Sequence, residues 1–319
     1  MSTSLRFTTG KQQKLKYNPF MVIIDQTVRC NEACYFCWRA DPKQVKDKTK
    51  MAYDKKVDMP IEMLKEIVDQ ASMYQSIRTF NVCGPMGDPL VVRDISERGL
   101  YARQKGFADR MMNTNGVAVN LHDPEELLLA FNNLKVSLDT LDEKKYIDIH
   151  GKDHLPRVLE NIQNLWQIKK EKSIPGQLKA KVTLNDKNED EKQQFIEWSE
   201  KTGVPLEWKR IHSFVDHMPE HGNELGMKLC EQPYKTINFN FRGEMTTCCI
   251  NWHLEPTFGS VYDGDIKSLW EGEKYESWRR TRFDDLCNGC SGLGGRLKHA
   301  QGAIEEYDRL GEEEFNVKY

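Results

Sequence analysis

The stretch that decides the fold runs from Phe20-Met21-Val22-Ile23-Ile24 to Cys30-Asn31-Glu32-Ala33-Cys34-Tyr35-Phe36-Cys37. A short apolar run followed by three cysteines spaced CxxxCxxC reads as a buried strand whose C-terminal loop binds metal. Three thiolates can hold three irons of a cubane and leave the fourth without a protein ligand. An open coordination position is a catalytic feature. A zinc knuckle needs a fourth ligand nearby, and no histidine occurs in the following polar, Lys-rich run from Arg39 to Lys56. By composition that run is a mobile surface loop, read first as a solvated loop, with closure over a substrate as the alternative.

Outward from this point the pattern alternates apolar runs with amphipathic stretches, the signature of βα units and a parallel sheet. Further strands are expected at Thr79 to Cys83, Arg110 to Thr114, Leu134 to Leu138, Leu178 to Leu184 and Leu206 to Ile211. Ile61, Leu64, Ile67, Val68 and Ala71 recur at helical spacing, with Asp58 and Pro60 marking the start. Asp123-Pro124-Glu125-Glu126 opens a helix with an N-cap and a proline at its first position. Val158, Ile162, Leu165 and Trp166 form a core-facing stripe on a helix starting near Leu155. Right-handed crossovers curl six such units into a partial (β/α)6 parallel barrel, an α/β fold with its site at the strands' C-terminal ends.

The rhythm stops near Val215. Cys230 precedes an expected hairpin, Thr236 to Phe241 and Glu244 to Ile250, with Cys248 and Cys249 on its second strand, and Cys287-Asn288-Gly289-Cys290 follows. The expected division is an extension over 1–19, a core domain over 20–215, a small α+β hairpin domain over 216–292 and a tail over 293–319. Cys230, Cys248, Cys287 and Cys290 make a four-thiolate set that suits zinc or an iron-sulfur cluster. Cys83, at a strand end, reads as a small buried residue. Cys249 alternates to the face opposite Cys248, where it either fills the core or points its thiol at a substrate.

Composition narrows the classes. The balance of 46 Lys+Arg against 49 Asp+Glu, formal charge -3, gives no basic field for nucleic acid. The first twenty residues hold no apolar signal region, and no run of eighteen apolar residues occurs, so a cytoplasmic protein without a membrane partner is expected. Nine cysteines in such a chain argue for metal or redox chemistry rather than disulfides.

Strand, CxxxCxxC with aromatic Phe36 before the last cysteine, and five more βα units resemble the radical S-adenosylmethionine (SAM) superfamily. Cys83-Gly84-Pro85-Met86-Gly87-Asp88-Pro89 resembles the family's glycine-rich motif, with Asp88 where Glu is commoner. The resemblance implies that Gly84, Gly87 and Asp88 receive the methionine ammonium of SAM. Asn113-Thr114-Asn115-Gly116 and Val136-Ser137-Leu138-Asp139 resemble two further family motifs, which implies ribose contacts for Asn115, Ser137 and Asp139. The C-terminal cysteines, with Gly259 to Trp270, resemble the SPASM domain in its shortened twitch form. The spacing resembles that of the aminocyclitol dehydrogenase of butirosin biosynthesis. The resemblance thus implies two 4Fe-4S clusters, one binding SAM and one auxiliary, with a flavodoxin or ferredoxin as electron donor.

The expected function is a 5'-deoxyadenosyl radical abstracting hydrogen from a small polar metabolite of the aminocyclitol, sugar or nucleoside class, in an oxidation. Epimerisation with Cys249 as hydrogen-atom donor is one alternative. Modification of a ribosomal peptide is another, although the chain lacks room for the extra N-terminal domain of many peptide-modifying relatives. A non-catalytic metal-binding interaction protein is the third. Lys209, Arg210, His212 and Asp216, near the end of the last strand, are the candidates for a general base.

Overall fold

The computed structural model describes residues 14–40, 57–83, 86–211, 232–252 and 254–281. Six strands form the parallel core: β1 (Met21–Ile24), β2 (Thr79–Asn81), β3 (Asp109–Thr114), β4 (Asn133–Ser137), β5 (Gln177–Leu184) and β6 (Leu206–Arg210). Three more, β7 (Thr236–Phe239), β8 (Glu244–Thr246) and β9 (Thr257–Ser260), continue the same sheet. The order is β6-β5-β4-β3-β2-β1-β7-β8-β9, parallel from β6 to β7 and antiparallel thereafter. This is the partial barrel expected from the sequence, with the cysteine-rich C-terminal segment adding β7 directly to β1.

Strands β3, β4 and β5 alternate in burial, while β1, β2 and β7 are buried nearly throughout. Val22, Ile24, Phe80, Met112, Leu134, Val136, Leu178, Ala180 and Val182 are fully buried in the layer beneath the helices. The covering helices are α1 (Ile61–Ser72), α2 (Ile95–Gln104), α3 (Pro124–Ala130), α4 (Glu143–His150), α5 (Leu155–Glu171) and α6 (Lys192–Thr202). Their apolar stripes, among them Leu64, Ile67, Val68 and Ala71 on α1 and Val158, Ile162 and Leu165 on α5, complete that layer. Asp123 caps α3 through Glu126 N, as its sequence predicts. The other face carries Asn113, Lys135, Ser137, Lys179, Lys181 and Thr183, all half-buried. A closed barrel fills this face with apolar side chains. Here it is polar, as a ligand-binding surface requires.

One local expectation holds with a further role, and one changes. Asp58 and Pro60 stand just before the start of α1, with Pro60 its N-cap. An isolated bridge pairs Thr27 with Asp58, and the carboxylate accepts from Thr27 Oγ1 (2.6 Å) and Arg29 Nε (2.8 Å), tying the loop after β1 to the entry of α1. The second hairpin strand ends at Thr246, so Cys248 and Cys249 lie in the turn beyond it. Asn251 closes that turn by donating to Thr247 Oγ1 (2.9 Å) and Glu255 O (2.8 Å). Strand alternation therefore does not assign faces to Cys248 and Cys249.

Candidate active site

The cysteine loop leaves the C-terminal end of β1 and is held from several sides. Asp88 N donates to Arg29 O at 2.9 Å, and a Cβ on Gly87 would lie 2.4 Å from that same oxygen, so the second loop approaches too closely for any side chain there. Arg39 donates to Val28 O and, at 2.9 Å, to Met86 O, locking the two loops together. Trp38, fully buried, stacks on Trp252 with ring centroids 5.2 Å apart, which seats the loop against the C-terminal segment.

The three thiols sit close enough to act on one another. Burial, followed by the charge of Asp88, pushes Cys30 up to about 12. Burial and then Cys37 and Cys30 push Cys34 well above the ordinary thiol range, and burial also raises Cys37. Thiols in this setting ionise when a cation replaces their protons. The surroundings suit thiolates, because an N–H reaches two of the sulfurs and an imidazole nitrogen the third. Cys30 accepts from the Glu32 amide and from Asn115 Nδ2 at 3.6 Å, Cys37 from the Arg39 amide, and Cys34 faces His150 Nδ1 at 3.2 Å. Among the described residues no three His, Cys, Asp or Glu side chains stand at the spacing of a single metal ion. Ligands of three separate irons in a cubane are necessarily further apart than that. The donor set fits an iron-sulfur cluster.

The residues expected around SAM lie beside this loop. Asp88 is 4 % exposed, and its carboxylate accepts from Thr114 Oγ1 (2.9 Å), Asn115 N (2.7 Å) and Leu90 N (3.0 Å). Burial, opposed by these bonds, raises it to about 6. The sequence suggests an ammonium partner; the structure shows in addition a brace joining the second and third loops. Asn115 Nδ2 donates to Asn31 Oδ1 at 2.6 Å. Ser137 ends β4, and Asp139 is buried, accepting from Thr183 N at 2.6 Å with Oδ2 3.4 Å from His150 Nε2. The Phe36 ring meets Tyr35 edge-on at 5.4 Å. Gly84, Cys230, Cys287, Cys290, His212 and Asp216 lie outside the described residues. Cys248 and Cys249 are half-buried, and Lys209 and Arg210 are exposed at the end of β6.

Sequence reasoning missed three features of the inner face. Asp25, at the end of β1, is buried and pushed up to about 8 by desolvation, against the pull of the Met86 amide. Its charge acts on Cys83, whose sulfur accepts from Asn113 Nδ2 at 3.1 Å. Opposite them a lysine group surrounds one carboxylate: Lys135, Lys179 and Lys209 place Nζ 2.8, 3.7 and 3.9 Å from Glu207 oxygens. Burial opposes ionisation of Glu207, but the Lys135 bond and the three cations outweigh it and hold the carboxyl below its usual range. Lys181, paired in register with Ser137 and Glu207, acts electrostatically on Cys83 and Asp139. The signal was legible in Lys179 and Lys181 and in Glu207 and Lys209, each pair spaced by two on its own strand, but it needed strand register, with Lys135 on a third strand, to become a cluster.

Comparison with known proteins agrees with the cysteine chemistry. Residues 24–174 match the Radical SAM superfamily, and residues 230–291 match SPASM, an iron-sulfur cluster-binding domain. The first implies a 4Fe-4S cluster with SAM and the second implies auxiliary iron-sulfur chemistry. GTP 3',8-cyclase of Marinobacter nauticus is 26% identical over 218 residues, which are 66% of this chain and 58% of the relative. Molybdenum cofactor biosynthesis protein 1 of Drosophila melanogaster is 27% identical over 211 residues, 63% of this chain and 32% of the relative. The chain thus spans well under two thirds of these relatives. Among solved structures, SuiB of Streptococcus suis bound to SAM has TM-score 0.63 at 13% identity, covering 92% of this chain and 76% of that one. BtrN in complex with AdoMet and 2-DOIA has TM-score 0.51 at 12% identity, covering 87% and 93%. At such identities these structures show a shared fold alone.

The relatives overturn one expectation. The relatives named for a reaction are GTP 3',8-cyclases, so dehydrogenation of an aminocyclitol does not stand, and a radical SAM enzyme is supported without support for an oxidoreductase or epimerase. The misreading came from cysteine spacing, which reports the cofactor and not the substrate. Among the described residues no helix is long and apolar enough to cross a membrane.

Proposed function

From a chain that carries a radical SAM domain followed by a SPASM domain, we propose an enzyme that uses Cys30, Cys34 and Cys37 to cleave SAM and directs the resulting radical onto a purine nucleoside triphosphate, which it rearranges by ring closure without net oxidation. GTP is the first candidate, because the curated relatives matched over the core are named GTP 3',8-cyclases. When bound, the cluster and SAM supply a 5'-deoxyadenosyl radical, the reagent that removes hydrogen from an unactivated C–H bond.

The observation that carries the reading is the lysine group on the inner face. Lys135, Lys179 and Lys209 share the single carboxylate of Glu207, and Lys181 adds a fourth cation on the same face. Positive charge in excess on a half-buried surface is a site for a polyanion, and Lys acts on phosphate as a point charge. Across that face, Asn113 and the buried carboxyl of Asp25 offer hydrogen bonds suited to a base or a sugar. The chain's own part is thus to hold the phosphates on β4 to β6 while the reacting carbon lies toward the cysteine loop. Loss of one hydrogen atom to the radical, which becomes 5'-deoxyadenosine, ring closure, and gain of one electron from an external low-potential reductant and one proton from solvent balance to an isomer of the substrate.

Anaerobic reconstitution followed by incubation with SAM, a strong reductant and GTP tests this. The expected result is one 5'-deoxyadenosine for each product of unchanged mass. A product two mass units lighter would restore an oxidation, and absence of 5'-deoxyadenosine would remove the radical assignment itself.

A further inference from the structure

The last turn of α4 and the residues after it reach four consecutive positions of the cysteine loop. Tyr146 Oη donates to Glu32 Oε1 at 2.9 Å, and His154 Nδ1 lies 3.1 Å from the same oxygen. The amides of Ala33 and Tyr35 donate to the carbonyls of His150 and Ile149, both at 2.9 Å. These carbonyls are the ones a helix C-terminus leaves without intrahelical partners, so the loop satisfies them and the register between helix and loop is fixed. Gly151 follows with φ +70°, and a Cβ there would lie 2.9 Å from Ala33 O, so the chain turns away from the loop only because this residue is glycine. The remaining contact is His150 Nδ1, 3.2 Å from Cys34 Sγ.

We propose that His150 is a positioning residue for electron entry: its Nδ1–H donates a hydrogen bond to the thiolate sulfur of Cys34 and thereby eases reduction of the cluster held by the cysteine loop. The inference rests on the reading that Cys30, Cys34 and Cys37 carry that cluster. A ligating thiolate has no proton and accepts only, so the imidazole proton facing it belongs on Nδ1. A donor on the sulfur stabilises the extra negative charge gained on reduction, and hydrogen bonds to cluster sulfurs are one of the levers that set potential. His150 and Asp139 are each 1 % exposed, so water does not replace the donor. The ring is packed between Tyr146, stacked on it with centroids 4.2 Å apart, and Asp139, whose Oδ2 stands 3.4 Å from Nε2.

His150→Phe retains the ring stack and removes the N–H. In the reconstituted full chain, the paramagnetic signal that changes on adding SAM identifies this cluster and is followed in a redox titration. With iron content equal to the native chain, the variant's one-electron reduction equilibrium is expected to shift about tenfold toward the oxidised form, about 59 mV more negative. His150→Gln, whose amide can donate, is expected to recover part of that shift. In native protein labelled with 15N-histidine, the reduced cluster is expected to show a hyperfine coupling to one ring nitrogen. An unshifted potential in a fully loaded His150→Phe chain overturns the proposal. So does the absence of 15N coupling in the native chain, a readout that survives if the Phe variant does not fold. A native chain that holds iron but shows no SAM-responsive signal would instead remove the underlying assignment of the cysteine loop.

Discussion

Replacing Asp88 with Ala tests how the second and third loops are held together. The carboxylate is buried and accepts from three donors, the Thr114 hydroxyl at 2.9 Å, Asn115 N at 2.7 Å and Leu90 N at 3.0 Å. A hydrogen bond to a charged group contributes about 1.5–3 kcal/mol, and orphaning a buried donor costs about 1–3 kcal/mol. The sum overstates the loss, because the Thr114 hydroxyl can rotate and because the buried carboxyl is itself disfavoured, its pKa raised to about 6. A net destabilisation of about 3 kcal/mol follows, which for a chain of this size is a fall in Tm of about 4–5 °C. Asp88→Asn retains one acceptor oxygen and is expected to lose about half as much. Anaerobic thermal and urea unfolding of the loaded chain, beside SAM affinity by equilibrium dialysis, gives both readouts. The motif resemblance by itself expects weakened SAM binding with folding intact, whereas the three-donor brace expects both to fall. An Asp88→Ala chain that melts with the native protein and loses only SAM affinity would refute the brace.

Asp25 gives a pH signature: its folded pKa of about 8 lies above the unfolded value of 3.8, so between roughly pH 4 and 8 the folded chain holds a proton that the unfolded chain has released. Its stability therefore falls as pH rises through that window, and Asp25→Asn should gain about 2–3 kcal/mol relative to the native chain between pH 6 and pH 8 in urea unfolding; a pH-independent difference would contradict the buried carboxyl. Gly151→Ala forces a left-handed residue to carry a Cβ against Ala33 and is expected to cost about 1–2 kcal/mol, with iron lost from the first cluster; full iron retention at native stability would count against the docking of α4 on the loop. Lys181→Met is expected to raise KM for a nucleotide about tenfold, by loss of roughly 1.4 kcal/mol of phosphate attraction, while SAM cleavage in the absence of nucleotide continues; an unchanged KM would remove the lysine group from the substrate site.

Much of the chemistry was written in local sequence. CxxxCxxC after an apolar strand states its own cofactor, because ligand spacing within eight residues is a covalent property of the chain. The parallel strands and helices were legible for the same kind of reason: the apolar layer imposes periods of two and 3.6 on residues such as Leu178, Ala180 and Val182, or Val158, Ile162 and Leu165. Element ends were less exact where a loop made other bonds. Cys248 and Cys249 left the strand because Asn251 closes a turn behind them. Contacts across the molecule were decided only by the tertiary structure. His150 and Cys34 are 116 residues apart, and Lys135 and Glu207 are 72 apart. The first pair meets because a helix terminus docks on the cysteine loop, and the second because strand register sets β4 and β6 on either side of β5. The pairing of Ser137 with Lys181 and of Lys181 with Glu207 is an inter-strand fact, invisible along either strand alone. The sequence thus determined the radical cofactor, while the face on which a substrate rests was set by strand register, since side chains on separate strands share a surface only after the sheet has formed.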